Sequence, residues 1–500
     1  MEKVLYQSVN NREAYSLCMA YPACEAFALS SLGYMWLYKI ADESEGVNVC
    51  RLTTDSETLK CQNLGTIAFS MSFDFDFMGV FEILEKLSIP FLASERDEDF
   101  PLIFAGGPVI TTNPAPYSKI FDFMMIGDGE ECFKKVLDIL KQGLSKTEML
   151  ELLSSVEGVY IPNKTLKVKK VTETLNNVIY TPVLSEKSYF KDTFIIEVAR
   201  GCMNRCAFCT ASYLNLPFRH YEYEKIIEAI ELGLKYTNKI ALLGAQISAH
   251  PDFLRIMNYL EAKIDSGIPV EIGISSLRTD SVTPDLVRTL VKGGQRTSTI
   301  AIEAASERLR KFINKNLKEE QILDAVRISR ENGLKGLKIY SMIGIPYETE
   351  EDLEEFFRLA KKIKSENKGF NIEFSFSSFV PKPQTPFQWS KREDTKSLEK
   401  KQKYLEKGLA KIGVSAKFSS IKWDYWQTVL SRGDKTLTPL LVEVYKSGGK
   451  LGSYKSVFKN INPKFIEGSS FEDILPWDII ENYPTKNLLV NEYNRLLKRI

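Results

Sequence analysis

The chain has 500 residues, 44% of them hydrophobic, and its 66 Lys and Arg almost balance its 65 Asp and Glu. This length supplies several domains with cores of their own, and a net charge of +1 gives no support to nucleic-acid binding over the whole surface, so only a local basic patch stays open. Eight cysteines lack the density of a secreted disulfide scaffold, so we expect a reducing, cytoplasmic location. No apolar run is long enough to span a membrane, and we expect no membrane partner.

Helix and strand patterns alternate through residues 1–155, which predicts an α/β domain. Helical periodicity covers 27–41, and short apolar strands are predicted at 66–70, 102–105 and 123–126. Glycines stand where the last two strands give way to loops: Gly106, Gly107, Gly127 and Gly129. Because open α/β sheets bind ligands at the carboxyl ends of their strands, these glycines are candidate cofactor contacts.

Residues 156–190 have the pattern of a connector with short strands and turns. Residues 191–390 hold six strand-like runs with helical segments between them, which predicts a parallel sheet; the runs are 194–199, 240–243, 270–275, 298–303, 337–343 and 372–379. Residues 391–500 are predicted to form a mixed α/β extension. It contains a helix near 396–412 whose charged face we interpret as solvated.

Three cysteines follow the first strand of this core in one Gly-led loop: Cys202, Cys206 and Cys209. A closed structural metal site takes four protein ligands, whereas three leave one corner free, which suits an iron–sulfur cluster that binds a further molecule. Two simpler interpretations stay open at this point. One is a zinc site completed by His220, and the other is three buried free thiols.

The spacing Cys-x-x-x-Cys-x-x-Cys, with Phe208 before the last cysteine, resembles the signature of the radical S-adenosylmethionine (SAM) enzymes. The resemblance implies a 4Fe–4S cluster on the three cysteines, with SAM on the fourth iron, and a partial (β/α)6 barrel. It also implies reductive cleavage of SAM to a 5′-deoxyadenosyl radical, with an external one-electron reductant of the flavodoxin or ferredoxin type.

The same resemblance suggests SAM contacts at other strand ends. Glu303 is the candidate for the ribose, and Gln246 stands where the family has a glutamate that orients the SAM amino group. Arg278 is a candidate for the SAM carboxylate or the substrate, with a surface ion pair as the alternative. Further candidates lie in the fifth-strand element, where Met342 and Gly344 are expected near the adenine. We expect Glu348 to be structural and Ser306 to cap a helix.

The segments IAFSMS, IFAGGPV and MIGDGEE resemble the cobalamin-binding Rossmann-like domain that precedes many radical SAM cores. The usual Asp-x-His-x-x-Gly element is absent, and the first histidine of the chain is His220. Any cobalamin held here therefore has no histidine from this domain on its cobalt. Cobalamin stays open as a cofactor, and its presence favours methyl transfer to an unactivated carbon.

Rival interpretations remain. A methylthiotransferase needs a second cluster, for which Cys18, Cys24, Cys50 and Cys61 could be recruited, although their wide spacing makes buried thiols the simpler interpretation. A non-catalytic iron–sulfur carrier, or a zinc protein that binds nucleic acid, would not need the SAM contacts. The sequence does not name the substrate, so RNA, peptide and small metabolite all stay open.

Overall fold

The structure is a computed structural model, which describes residues 2–9, 13–58 and 61–500. Its N-terminal unit is a six-stranded sheet of order β2-β1-β3-β4-β5-β6, parallel except for the last strand. The strands are β1 Tyr15–Tyr21, β2 Val47–Thr53, β3 Leu64–Ser70, β4 Leu102–Gly106, β5 Phe123–Met125 and β6 Val159–Tyr160. The three predicted strands are thus confirmed, and β6 lies in the stretch expected to be a connector.

Helices cover both faces of this sheet: α1 Glu25–Ser30, α2 Leu32–Asp42, α3 Phe77–Lys86, α4 Pro108–Thr112, α5 Glu130–Leu140 and α6 Lys146–Leu153. The single helix expected over 27–41 is two helices, because Ser31 adopts extended backbone between them. Buried side chains pack on each face of the sheet in two separate cores.

The second unit is a half-barrel of seven parallel strands in chain order. Its strands are β7 Thr193–Glu197, β8 Lys239–Leu243, β9 Glu271–Ile274, β10 Thr297–Glu303, β11 Gly336–Ile343, β12 Asn371–Ser378 and β13 Ser415–Phe418. A single bridge between Leu277 and Ile300 joins the three-stranded and four-stranded parts. All six predicted strands are confirmed, and β13 adds a seventh from the C-terminal extension.

The short α7, Thr210–Leu214, lies within the loop after β7. The other helices follow the barrel strands on the outside: α8 Tyr223–Leu234, α9 Phe253–Asp265, α10 Pro284–Lys292, α11 Glu307–Phe312, α12 Glu319–Glu331, α13 Glu350–Glu366 and α14 Thr395–Ile412. Alternate residues of β7, such as Phe194 and Ile196, are fully buried against these helices. The carboxyl ends of the parallel strands therefore meet at one rim, where barrel enzymes build their active sites.

The C-terminal extension is mainly helical, with α15 Ile421–Arg432, α16 Leu437–Lys446, α17 Leu451–Val457, α18 Lys464–Glu467 and α19 Lys486–Leu497. It contacts both units. The buried Asn113 donates to the carbonyls of Ser431 (3.0 Å) and Gly433 (2.8 Å). The carboxylate of Asp74 accepts from Lys382 of the barrel rim (2.7 Å) and from Gln427 of α15 (3.0 Å). The extension is thus a third layer that holds the other two together.

The cysteines of the N-terminal unit are in different states. Cys50 and Cys61 form a disulfide, which corrects the expectation of free buried thiols for this pair, while Cys18 is a buried free thiol and Cys24 a partly exposed one. Within the part of the chain that the structure describes, no helix has both the length and the apolar character needed to cross a bilayer.

Candidate active site

The cysteine loop leaves the barrel after β7 and returns as a short strand. Ala199–Arg200 pairs with Arg219–His220, so the residues between them form a closed excursion above the rim. Gly201 begins this loop with a φ of +87°, and a Cβ on it would lie 2.4 Å from the carbonyl oxygen of Asn215. Only glycine allows this close approach, which explains the residue before the first cysteine.

The three cysteine thiols lie inside the loop. Cys202 and Cys206 are buried, and Cys209 is partly so. Burial raises the pKa of Cys206 to about 12, against the opposing charge of Lys315, and burial also raises the pKa of Cys209. Both thiols are therefore protonated at neutral pH in the absence of metal, and iron binding must displace these protons.

The residues described in the structure contain no group of three His, Cys, Asp or Glu side chains that converges on one metal ion. A four-iron cluster does not require such convergence, because each thiolate binds a different iron. The donor set, three thiols within one loop, fits a cluster with one corner left for another molecule.

The loop after α11 holds the cysteine loop in place. The side-chain amide of Asn314 donates to the carbonyls of Asn204 (3.2 Å) and Arg205 (2.9 Å), and the backbone nitrogen of Ala207 donates to Ile313 (2.9 Å). Arg499, beyond α19, donates to the Asn314 side-chain oxygen (3.0 Å). The C-terminal extension therefore reaches the cysteine loop through Asn314.

The same segment carries a buried ion pair to the end of β10. Lys315 Nζ lies 3.1 Å from Glu303 Oε1, and both side chains are almost buried. Burial lowers the pKa of Lys315, but the Glu303 carboxylate outweighs it, so that the pKa is raised overall. Glu303 has a φ of +66°, which is strained for a non-glycine residue, and such strain is concentrated at functional sites.

Arg310 of α11 maintains this strained turn. The residue is 1% exposed, and its guanidinium donates to the carbonyls of Ala304 (3.1 Å), Ala305 and Leu317 (2.6 Å). Ser306 caps the helix by accepting from Leu309 N, as predicted. Arg310 and Ser306 thus fix the backbone on both sides of the Glu303–Lys315 pair.

Gln246 and Arg278 lie beside these groups. The Gln246 carbonyl accepts from the Cys202 thiol (3.1 Å) and from the Asn204 side chain, so it faces the cysteine loop from the end of β8. Arg278 pairs with Asp280 (2.6 Å) and reaches the carbonyl oxygen of Lys315 (3.4 Å). The structure thus brings Gln246 to the cysteine loop and Arg278 to the Glu303–Lys315 segment. Their roles toward SAM stay predictions.

The fifth-strand element packs on the other side of the loop. Met342 is buried in one apolar cluster with Ala207, and Phe208 packs against that cluster. Gly344 has a φ of +75° and donates its N–H to Glu348 (2.8 Å), whose carboxylate also accepts from Lys401 (2.7 Å). Burial raises the pKa of Glu348 to about 7 although Lys401 opposes the shift. The prediction that Glu348 is structural is confirmed.

A cavity of about 390 Å³ opens at the carboxyl ends of β3, β4 and β5. Its wall includes all four predicted glycines, and it continues to the barrel side through Arg200, Leu214 and Leu243. No histidine is among the described residues that line it. The cavity has the volume typical of a small-molecule site and joins the N-terminal unit to the base of the cysteine loop.

Two different structural requirements explain why glycine occupies these four positions. A Cβ on Gly107 would lie 2.6 Å from the carbonyl oxygen of Met71, and one on Gly127 would lie 2.3 Å from that of Val171, so both are required by backbone packing. For a Cβ on Gly106 or Gly129 the nearest atoms would be side-chain carbons at ordinary contact distance, 3.6 and 3.5 Å. These last two therefore leave space on the cavity wall, which fits a ligand that needs this space.

A buried charge network crosses from this cavity to the cysteine loop. Arg200, two residues before Cys202, pairs with Asp128 (3.0 Å), Glu130 (2.7 Å) and Glu197 (2.8 Å). Arg219 also pairs with Asp128 (2.6 Å). Asp128 and Glu130 come from the glycine loop after β5, so this loop also fastens the N-terminal unit to the barrel.

Comparisons with known proteins agree with this geometry. Residues 34–162 match the family model described as radical SAM proteins, N-terminal, and residues 196–360 match the radical SAM superfamily. An uncharacterized protein of Methanocaldococcus jannaschii is 32% identical over 391 residues, which span 76% of this chain and 81% of the relative. The chain belongs to the radical SAM superfamily. It is therefore an enzyme of the radical SAM type, as its cysteine loop predicted.

More distant relatives of this radical SAM enzyme include an uncharacterized methyltransferase of Pyrococcus horikoshii, 24% identical over 68% of this chain and 75% of the relative. Another is the tRNA-2-methylthio-N(6)-dimethylallyladenosine synthase of Anaplasma phagocytophilum, 24% identical over 51% of this chain and 61% of the relative. The chain thus spans less than two thirds of that synthase.

Among solved structures, the cobalamin-dependent SAM radical enzyme OxsB with aqua-cobalamin and SAM bound aligns with a TM-score of 0.58 at 15% identity, over 97% of this chain and 80% of that chain. A structure of OxsB with aqua-cobalamin alone gives 0.55 at 18% identity, over 70% of this chain and about half, 52%, of that chain. At these identities the likeness establishes the shared fold. Both units, and not the barrel alone, belong to that fold.

Sequence reasoning missed the residues that hold the site together. Asn314 and Lys315 lie in a loop more than one hundred residues from the cysteines, and no spacing rule connects them. The sequence held one signal, the two asparagines Asn314 and Asn316. In the structure both have positive φ, at 58° and 46°, a conformation in which asparagine is enriched. An Asn-x-Asn pair after the fourth strand therefore marked a special turn.

Proposed function

We propose that this enzyme binds a 4Fe–4S cluster through Cys202, Cys206 and Cys209 and cleaves SAM reductively beside Glu303. The observation that carries the proposal is the direct link between the cysteine loop and the Glu303 turn through Asn314 and Lys315. This link places three thiols and a buried ion pair at one point of the barrel rim. A carrier protein that used the cluster alone would not need the second part.

The cluster and SAM, when bound, supply the electron transfer and the carbon radical; the chain orients and encloses them. Glu303 keeps a second carboxylate oxygen for the ribose hydroxyls, while Lys315 holds the first. Gln246 and Arg278 lie at neighbouring strand ends and supply a carbonyl and a guanidinium for the amino and carboxylate groups of SAM. We expect the electron to come from an external flavodoxin-type or ferredoxin-type protein in the cytoplasm.

Cobalamin is the second proposed cofactor. The cavity at the carboxyl ends of β3 to β5 supports it, because Gly106 and Gly129 leave space there and the wall reaches Arg200, two residues from Cys202. No histidine is among the described residues that line the cavity, so this wall would offer no imidazole to the cobalt of a bound cobalamin. With cobalamin bound, transfer of a methyl group to an unactivated carbon is the reaction that we favour.

A methylthiotransferase is the second candidate, favoured by the similarity to the tRNA-modifying synthase. That function requires a second cluster in the N-terminal unit. Cys18 and Cys50 are register partners on β1 and β2, but Cys50 is bonded to Cys61, which removes two of the four candidate ligands in this structure. Methyl transfer is therefore the better supported reaction.

Iron analysis of anaerobically reconstituted protein tests the proposal. The wild type should hold about four irons and four sulfides. Cys202→Ala, Cys206→Ala and Cys209→Ala should each lose the cluster and form no 5′-deoxyadenosine from SAM. Cys132→Ala, which changes a buried thiol of α5, is the matched control and should retain both. A triple alanine variant that kept the full cluster and cleaved SAM would overturn the assignment.

A further inference from the structure

The outer face of α14 carries an unbroken row of lysines. Over the 18 residues of this helix, the lysines recur at helical spacing: Lys396, Lys400, Lys403, Lys407 and Lys411. At about 100° per residue they fall within a sector of about 80°, and the row is about 22 Å long. The buried residues Leu398, Leu405 and Leu409 lie on the opposite side of the helix, so the lysine row faces away from the protein.

No acidic side chain of the described residues pairs with any of these five lysines, and all five are exposed. The neighbouring helix α13 differs. Its Arg358 pairs with Glu319 and with Glu355 (2.7 Å), and its Lys362 pairs with Glu319 (3.3 Å). The two acids of α14 itself, Glu399 and Glu406, lie about 80° and about 100° away from the centre of the row. The row is therefore a line of positive charge that has no acidic partner among the residues the structure describes.

This charge belongs to a wider asymmetry. Residues 391–500 contain 21 Lys and Arg against 13 Asp and Glu, a net charge of +8, whereas residues 1–390 have a net charge of −7. The near-neutral total conceals a basic extension on an acidic body. Such an asymmetry indicates an anionic partner for the extension.

We propose that the lysine row of α14 binds the phosphate backbone of a single-stranded segment of RNA, and that RNA is the substrate class of the enzyme. The shape of the row favours this occupant. A single strand can follow a straight line of about 22 Å, whereas each strand of a duplex winds away from it.

An aromatic side chain beside the row supports RNA over an acidic protein. Tyr404, on the same side of α14, is 45% exposed, and its ring is held on edge by Phe357 at 5.2 Å between ring centroids. Surfaces that bind single-stranded nucleic acid combine a basic track with rings on which bases stack. The proposal goes beyond the prediction that this charged face is solvated, since the exposed lysines are given a ligand. Only the role of RNA as substrate rests on the proposed function; its binding does not.

The test is fluorescence anisotropy with a labelled single-stranded RNA of about 16 nucleotides, using the full-length, anaerobically reconstituted enzyme. The affinity should fall with salt with a log–log slope of about −3.5, the value for five phosphate contacts. Changing the five lysines to Gln should weaken binding at least about tenfold at about 0.1 M salt and remove most of the slope. Tyr404→Ala should weaken it at least about fivefold.

A second set of five Lys→Gln changes is the matched control, because it removes the same charge from exposed lysines of the N-terminal half: Lys134, Lys141, Lys164, Lys167 and Lys169. These changes should alter RNA affinity by less than about twofold. Cleavage of SAM with a chemical reductant should be unchanged in both variants. This measurement distinguishes a failure of the radical chemistry from a failure of RNA binding. Equal RNA binding by the two variants would overturn the proposal. A second result would also overturn it: the α14 variant still binds RNA but is no longer reduced by an acidic electron-transfer protein. The row would then be the docking face of the reductant.

Discussion

Arg200 stands between two regions that the fold holds in different ways. On one side, the cysteine loop is fixed by polar side chains that donate to its backbone, with residues of positive φ at Arg205, Glu303 and Asn314. On the other side, the N-terminal cavity is shaped by where strands end and by glycines that let backbones touch. The first region depends on particular side chains and the second on the absence of side chains.

The largest effect should come from adding a side chain where backbones touch. Gly127→Ala puts a Cβ 2.3 Å from the carbonyl oxygen of Val171, at a φ of +109°. We expect a loss of about 2–5 kcal/mol in the free energy of unfolding, measured by denaturant titration. Gly129→Leu is the contrasting change. It should leave stability within about 1 kcal/mol but fill the cavity and abolish cobalamin binding.

If Gly127→Ala unfolds like the wild type, the account of the glycines is wrong. If Gly129→Leu binds cobalamin as tightly as the wild type, the cavity is not the cobalamin site.

The second-largest effect concerns a buried carboxyl group in the region that is held by particular side chains. Burial raises the pKa of Glu348 to about 7, above its ordinary value of 4.5. Between these two pH values the folded state holds a proton that the unfolded state has released. The carboxyl group of Glu348 therefore stabilises the fold fully below about pH 4.5, and this contribution is lost as the pH rises through about 7. Relative to Glu348→Gln, the wild type should lose about 3 kcal/mol between pH 5 and pH 8, roughly the size of the shift. A constant difference across that range would contradict the shift.

A third change separates the cysteine loop from its support. Asn314→Ala removes both donors to the carbonyls of Asn204 and Arg205 and should cost about 1–3 kcal/mol in the stability of the loaded loop. The measurement is the rate at which a chelator removes iron, which should rise about tenfold or more. Lys311→Ala, which breaks only an exposed ion pair with Glu307 and leaves these bonds in place, is the control. Equal rates for the two variants would show that the loop holds itself.

The smallest effect tests the reach of the C-terminal extension. Arg499→Ala removes the donor to Asn314 Oδ1 and should raise the rate of iron loss only a few-fold, because Asn314 keeps its own bonds to the loop. Arg495→Ala, which breaks an ion pair with Glu492 within α19, should leave that rate unchanged. A larger effect at Arg495 than at Arg499 would mean that the helix, and not its contact with Asn314, supports the site.

Sequence patterns predicted the half-barrel well because its strands are apolar runs of ordinary length between amphipathic helices. They missed β1, whose residues are buried on both faces and include Ser16 and Cys18, and its neighbour β2. They also missed β13, which is short and polar. The cysteines were identifiable because one loop holds all three at a specific spacing. Asn314 and Lys315 were not, because their contacts join loops far apart in the chain. The two roles of the glycines were also hidden, since only distances distinguish a backbone contact from a cavity wall.

Electron paramagnetic resonance of the reduced enzyme, with and without SAM, tests the central claim most directly. The account predicts a cluster signal that changes when SAM is added, because SAM binds the corner that the three cysteines leave free. In Glu303→Gln the signal without SAM should be that of the wild type, and about tenfold or more SAM should be needed for the change, since a charge-assisted hydrogen bond is lost. A wild-type signal that is indifferent to SAM, or a Glu303→Gln variant with unaltered SAM affinity, would contradict the account.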